Sequence, residues 1–187
     1  MFTQIALLLI KTAISFWVAL FLFRWYCLFI KLNMTQSLGH FSQFIYQLTD
    51  WSVLPLRRVL PKSSHFDLAC FVSAFLVQFA GVVLQSLLLA GDFSVSHALT
   101  LSVFELASAG ISGMTGLLIV FALLSWISSN PEIQNFLDRL TRPVLSPVRK
   151  VIPPVAGIDI SILVVLLMLQ VINIVLANLR VWATSLA

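Results

Sequence analysis

A short polar phrase occurs twice in this apolar chain, and its two copies lie 92 residues apart. Each copy has a proline, a basic pair, a second proline and an aspartate: Pro55, Arg57-Arg58, Pro61 and Asp67, then Pro147, Arg149-Lys150, Pro153 and Asp159. An apolar stretch flanks each copy on both sides. The sequence therefore predicts a duplicated membrane module, with a first repeat at 1–93 and a second at 94–187, each having two spans and a basic loop.

Composition places this module in a bilayer. Hydrophobic residues make up 60% of the chain, charged residues 10%, and the mean hydropathy is +1.03. Such a chain has too few polar groups to cover a soluble core. Four stretches reach the roughly 20 residues that a span needs: about 5–32, 68–90, 95–127 and 160–179. We therefore predict an all-α integral membrane protein with four transmembrane helices.

The third stretch is longer than a bilayer core requires, since about 33 residues at 1.5 Å each span about 50 Å. Its first turns, at 94–105, are expected to project from the membrane or lie in its interface. Glu105 would then lie near the outer interface as a solvated or capping acid.

Basic residues set the expected orientation. The net charge of +4 comes mainly from the two repeated loops, whereas the loop at 91–96 has no Lys or Arg. By the positive-inside rule, both basic loops face the cytoplasm and both termini lie outside. The charge therefore indicates headgroup contact and no nucleic-acid partner. Two modules of the same orientation predict a parallel repeat about a pseudo-two-fold axis along the membrane normal.

Each repeated loop should begin with an amphipathic helix lying flat at the interface. Its apolar positions are Phe41, Phe44, Ile45 and Leu48, and Ile133, Phe136, Leu137 and Leu140. The proline-flanked basic element should end each helix, and the following aspartate should cap the next span.

The basic element admits three interpretations. It is a rigid elbow with lipid-phosphate anchors, a specific site for anionic lipid or a partner protein, or part of a substrate or ion path. Under the second interpretation, the binding residues are Arg57, Arg58, Arg149 and Lys150.

Three amides lie inside spans, where polar groups tend to face the bundle interior. Gln78 and Gln170 are equivalent in the repeat, so we expect them to meet in the interior, either as interhelical glue or, with Asn173, as the lining of a polar path. Arg24 should snorkel or form a structural pair with Asp67.

No sequence motif indicates a metal or cofactor. Cys27 and Cys70 are expected to be free thiols, and no C-x-x-C or H-x-x-x-H spacing occurs. The small-residue spacings Ala109-x-x-x-Gly113 and Ser112-x-x-x-Gly116 allow close helix packing within the chain or in a homodimer.

The chain resembles the YggT family of small integral membrane proteins. The second copy carries the resemblance most completely, through Asn130-Pro131, Thr141-Arg142-Pro143, the segment from Pro147 to Pro153, and Gly157-Ile158-Asp159. The first copy matches through Thr49, Pro55, Arg57-Arg58, Pro61 and Asp67, with Arg24 before Trp25. The first copy departs at Leu38-Gly39, Trp51, His65 and Ala69-Cys70, which weakens any role needing identical half-sites.

The resemblance implies a bacterial inner-membrane protein linked to osmotic or envelope stress, with no catalytic residues defined. The leading hypothesis is a non-enzymatic accessory or scaffold protein that binds anionic lipid or a membrane partner at its basic cytoplasmic face. The alternatives are a transporter or channel component using the interior at Gln78 and Gln170, and an assembly factor for a membrane cofactor protein.

Overall fold

The computed structural model describes residues 2–32, 40–59, 67–89, 94–126, 131–150 and 159–185, and these residues form helices without any β-strand. The helices are α1 Phe2–Phe29, α2 His40–Val59, α3 Leu68–Leu88, α4 Val95–Trp126, α5 Pro131–Arg149 and α6 Ile160–Thr184. The predicted all-α fold class is confirmed.

Four of these helices are long and apolar enough to cross a membrane. The candidate spans are Thr3–Phe29, Leu68–Leu88, Val95–Ser125 and Ile160–Thr184. They agree with the four predicted stretches to within a few residues at most ends. The protein is therefore a multi-pass membrane protein, and α2 and α5 are the helices that carry the repeated basic element.

The first proline of each repeated element lies inside its helix, and the described helices reach Val59 and Arg149, which are residues of the element itself. Pro55 lies inside α2, and Pro143 and Pro147 lie inside α5. A proline inside a helix removes one N–H donor and leaves the carbonyl four residues earlier without its partner. All three prolines are exposed, so that carbonyl can bond to solvent or headgroups. Pro61 and Pro153 lie outside the described residues.

The chain forms two compact units, residues 1–110 with 177–187 and residues 111–176. These units are not the predicted repeats, whose boundary at 93/94 and whose parallel arrangement stay predictions. In the first unit, α1 packs along α3, and α2 packs against both. Gly81 permits this approach, because a Cβ there would lie 2.5 Å from Cδ1 of Ile14.

The first unit has an apolar core, to which one of the two cysteines belongs. Val18 and Phe21 of α1, Val53 of α2, and Cys70 and Ala74 of α3 are buried together. Cys27 is also buried, and both cysteines are free thiols as expected.

The second unit buries two core positions that are also core positions in the first. Its core holds Leu118, Leu145, Ile162 and Val165, and Leu145 is 92 residues after the buried Val53. Ile162 similarly follows Cys70 by 92 residues. The two copies therefore share a burial pattern around the helix that carries the basic element.

The two copies also share a hydrogen bond made by equivalent threonines. Thr49 and Thr141 are fully buried. Each hydroxyl donates to the carbonyl four residues earlier, of Ile45 at 2.7 Å and of Leu137 at 2.9 Å. The apolar face is less regular than predicted, since Ile45, Phe136, Leu137 and Leu140 are buried while Phe44 and Ile133 are exposed. That α2 and α5 lie flat at the interface stays a prediction.

Candidate functional site

In both repeats, the first basic residue of the pair binds the aspartate that precedes the next span. Arg57 Nη2 is paired with Asp67 Oδ2. Arg149 donates to Asp159 Oδ2 through Nε at 2.8 Å and through Nη2 at 2.5 Å. We call these two ion pairs, each between residues ten apart, the clasps. They fasten the end of α2 to the start of α3, and the end of α5 to the start of α6.

The first clasp perturbs the ionisation of both partners. Burial of the Asp67 carboxyl acts to raise its pKa, but the hydrogen bond and the charge of Arg57 outweigh it, so the pKa lies below its usual value. The hydrogen bond to Asp67 raises the pKa of Arg57. Both groups are therefore charged at neutral pH, and the clasp is an ion pair.

The two aspartates differ in how they meet the following helix. Asp67 stands at the N-cap of α3 but makes no side-chain cap hydrogen bond; its Oδ2 is instead 3.5 Å from Cys70 Sγ. Asp159 Oδ1 accepts a hydrogen bond from the N–H of Ser161 at 3.1 Å. The predicted capping is therefore present at Asp159 and wrong for Asp67, whose carboxylate is turned toward Arg57.

The second basic residue of each pair points outward. Arg58 and Lys150 are exposed, and within the described ranges neither has an ion-pair partner. Arg149 makes a second contact, from Nη1 to Asp138 Oδ1 at 3.4 Å. Of the four cations predicted to bind lipid or a partner, Arg57 and Arg149 are thus held by carboxylates, and Arg58 and Lys150 remain available.

Arg24 is the most deeply buried cation in the described part of the chain, with 2% of its side chain exposed. Its Nη1 donates to Asp50 Oδ1 at 2.7 Å and to Thr49 Oγ1, and its guanidinium lies 4.6 Å from the ring centroid of Tyr46. The predicted partner, Asp67, is therefore wrong, because it is bound by Arg57. The missed signal was Asp50, directly after the repeated Thr49.

The second repeat has no counterpart of this buried cation. Gly116 and Arg142 stand 92 residues after Arg24 and Asp50. A Cβ at Gly116 would meet nothing within 4 Å, and Arg142 is exposed. The two copies thus share their clasps but differ in the charge that lies beside the threonine.

A third polar group lies within the spans of the first unit. Gln78, which is buried, donates through Nε2 to Glu105 Oε2 at 2.5 Å, and Arg180 Nη2 lies 3.3 Å from Glu105 Oε1. Gln78 is the middle residue of α3, so Glu105 lies level with mid-span and not near the outer interface as expected.

The other predicted interior amides are placed differently. Gln170 is exposed on α6 and Asn173 is half-buried there. The partner of Gln78 is a carboxylate, whereas the sequence predicts an amide. The predicted meeting of Gln78 and Gln170 across a pseudo-axis stays a prediction. Among the residues that the structure describes, no group of three or more His, Cys, Asp and Glu side chains could hold a metal ion.

Comparison with known proteins identifies relatives across most of the chain. The CCB3/YggT family profile matches residues 3–88 and 100–180. An uncharacterized protein in the proC 3′ region of Vibrio alginolyticus is 33% identical, covering 74% of this chain and 77% of the relative. The uncharacterized protein YggT of Escherichia coli is 30% identical, covering 74% and 72%. An uncharacterized protein of Pseudomonas aeruginosa is 29% identical, covering 92% and 88%. No solved structure matches significantly.

The burial of Arg24 predicts a large cost for removing its carboxylate. We expect Asp50→Asn to lower the free energy of unfolding by about 1–3 kcal/mol, because a desolvated guanidinium loses its counter-charge. The value is below that of a fully buried pair, since 37% of the Asp50 side chain is exposed. Unfolding of the purified protein in detergent measures it.

Arg142→Gln is the matched control, because it changes the equivalent position of the second repeat, where the side chain is exposed. We expect that variant to stay within about 0.5 kcal/mol of the parent. Equal unfolding free energies for the two variants would contradict the assigned role of Asp50.

Proposed function

Because the chain belongs to the CCB3/YggT family, we propose that it is a non-enzymatic accessory or scaffold protein of the membrane, linked to osmotic or envelope stress, that binds lipid or a partner at its basic face. The link to stress rests on what resemblance to this family implies. The binding role rests on one observation: in each repeat, a clasp holds the first basic residue and leaves the second exposed.

The clasps support this role because they give the two residues of each basic pair different surroundings: the first is ion-paired and the second is exposed. Arg57 and Arg149 tie their helices to the first residues of the next span. Arg58 and Lys150 are therefore presented beside a span start, the depth at which phospholipid headgroups lie. A cation near an anionic leaflet contributes about 1 kcal/mol of attraction, which falls off within a Debye length.

We propose that both basic loops face the cytoplasm, that both termini are external, and that the membrane is the bacterial inner membrane. The asymmetry of Lys and Arg between the loops supports this orientation. We expect an impermeant thiol reagent added outside the cell to modify a cysteine introduced at Asp92 and to spare one introduced at Lys62. The native thiols Cys27 and Cys70 are buried, which keeps the background low. The reverse labelling pattern would refute the orientation.

The binding role is tested by separating the exposed cations from the clasps. In a strain lacking the protein, we expect the double variant Arg58→Gln, Lys150→Gln to fold as the parent does but to fail to restore growth at high osmolarity. The matched control, Lys11→Gln, Lys31→Gln, removes the same charge from two other exposed positions and should restore growth. If the Arg58 and Lys150 variant restores growth fully, the basic elements serve only orientation, and the functional hypothesis moves to the membrane interior.

The polar group at mid-span favours a second candidate, a transporter or channel component. Glu105 is a carboxylate level with the middle of α3, bound by Gln78 and Arg180. Ionisable groups at such depths often mark ion pathways or proton relays. Under this candidate, Glu105→Gln keeps the side-chain shape but removes the charge, and growth at high osmolarity should be lost at an unchanged protein level. Full restoration of growth by Glu105→Gln would reject it.

A further inference from the structure

The exposed faces of α2 and α5 differ in chemistry, although the two helices occupy equivalent places in the repeat. On α5, three cations lie on one face, at spacings of three and eight residues: Arg139, Arg142 and Lys150, the last directly after the helix. All three are exposed, and residues at such spacings share a helical face. We call these three side chains the α5 cationic face.

No described carboxylate cancels the charge of this face. Asp138 lies beside it but is contacted by Arg149, at 3.4 Å. The exposed Pro143 and Pro147 lie between the cations. Because proline has no N–H, this part of the face offers no main-chain donors, and its attraction for an anion comes from the side-chain charges. Binding here should therefore be electrostatic and sensitive to salt.

The equivalent positions on α2 give a different surface. Gln47, Asp50 and Arg58 stand 92 residues before Arg139, Arg142 and Lys150. Asp50 is an acid engaged by Arg24. Trp51 and Leu54 are more than half exposed on α2. This surface carries one free cation among apolar side chains, and it suits the acyl boundary of a bilayer better than a layer of anions.

Packing fixes the depth of the α5 cationic face. Leu145, one turn after Arg142, is buried with Leu118 of α4 and Ile162 of α6. The clasp from Arg149 to Asp159 fastens the C-terminal end of α5 to the first turn of the α6 span. The cations therefore begin where a span begins, next to the headgroup layer. From Arg139 to Lys150 they extend about 16 Å along the axis, at 1.5 Å per residue.

We infer that the α5 cationic face binds the headgroups of anionic phospholipids, whereas α2 contributes an apolar contact with the same bilayer. A row of charges about 16 Å long at the level of a span start matches a surface of repeated anionic groups better than it matches one small anion. This inference rests on the proposed function and assigns its lipid-binding part to one helix.

The test measures lipid selectivity of the full chain purified in neutral detergent. Dioleoylphosphatidylglycerol is titrated against dioleoylphosphatidylcholine, with inorganic phosphate as a competitor, and bound lipid is counted by native mass spectrometry. We expect the parent to prefer phosphatidylglycerol, with little competition from phosphate. The triple variant Arg139→Gln, Arg142→Gln, Lys150→Gln should bind phosphatidylglycerol about 10- to 100-fold more weakly, and high salt should reduce the parent's preference in the same way.

The control double, Lys11→Gln, Lys31→Gln, removes charge from exposed positions outside α5 and should keep the preference, whereas the α5 double Arg139→Gln, Arg142→Gln, which removes the same charge, should lose it. Arg142→Gln alone, expected to lose about 5-fold, replaces the triple if that variant does not fold. An undiminished preference in the α5 variants, or a loss in the control double equal to that of the α5 double, overturns the inference. A parent that selects no phosphatidylglycerol but retains an acidic protein, which the α5 triple loses, also overturns it.

This outcome is separable from that of the proposed function. A protein whose Arg58 and Lys150 variant fails to restore growth, but which shows no preference for phosphatidylglycerol, keeps the proposed function and loses only the lipid assignment.

Discussion

The clasp between an arginine near the end of one helix and an aspartate before the next span is the interaction on which each repeat depends. Both charges stand where the chain enters apolar surroundings, and either would be costly there alone. Paired, they neutralise one another and fix the direction in which the chain re-enters the span. In the described ranges, the adjacent basic residue forms no ion pair and is exposed.

Beyond the clasps, the two copies have kept their framework and changed their charges. Thr49 and Thr141 are both buried, with the same hydrogen bond to the preceding turn. In the first copy, Arg24 fills the space beside the threonine and is balanced by Asp50. In the second copy, Gly116 stands at the position of Arg24, and Arg142, at the position of Asp50, is an exposed cation. The first copy therefore has a buried ion pair that joins two helices, and the second copy has an exposed arginine.

Hydropathy and the internal repeat were sufficient to predict the number, order and type of the helices. The four spans and the two intervening helices follow from apolar length and from periodicity. The partners of single polar residues do not follow, because they depend on how helices are aligned along their axes. The sequence predicts Asp67 as the partner of Arg24, whereas the packing of α2 brings Asp50 to it. Glu105 was assigned to the outer interface because α4 is long, whereas its carboxylate accepts a hydrogen bond from Gln78 at the middle of α3.

The prolines inside α2 and α5 also depend on the packing of the folded chain. A proline inside a helix loses one main-chain hydrogen bond, and its ring crowds the carbonyl four residues earlier. The lost bond costs less where that carbonyl can bond to solvent or headgroups. Pro55, Pro143 and Pro147 are exposed, so this cost is reduced at each of them. Which face of a helix is exposed depends on how the folded chain packs, so the local sequence around each proline does not predict it.

The pairing of Glu105 with Arg180 has a consequence for the order in which the chain is made. Residues 177–187 belong to the same compact unit as residues 1–110, so this unit joins segments from the two ends of the described chain. A clasp joins residues ten positions apart and can close while the ribosome is still adding the next span. Glu105 must wait for a cation that is synthesised 75 residues later. During that interval Arg180 is not yet present, and the described partner of the Glu105 carboxylate is the amide of Gln78. The unit whose first residues are translated first is therefore completed last.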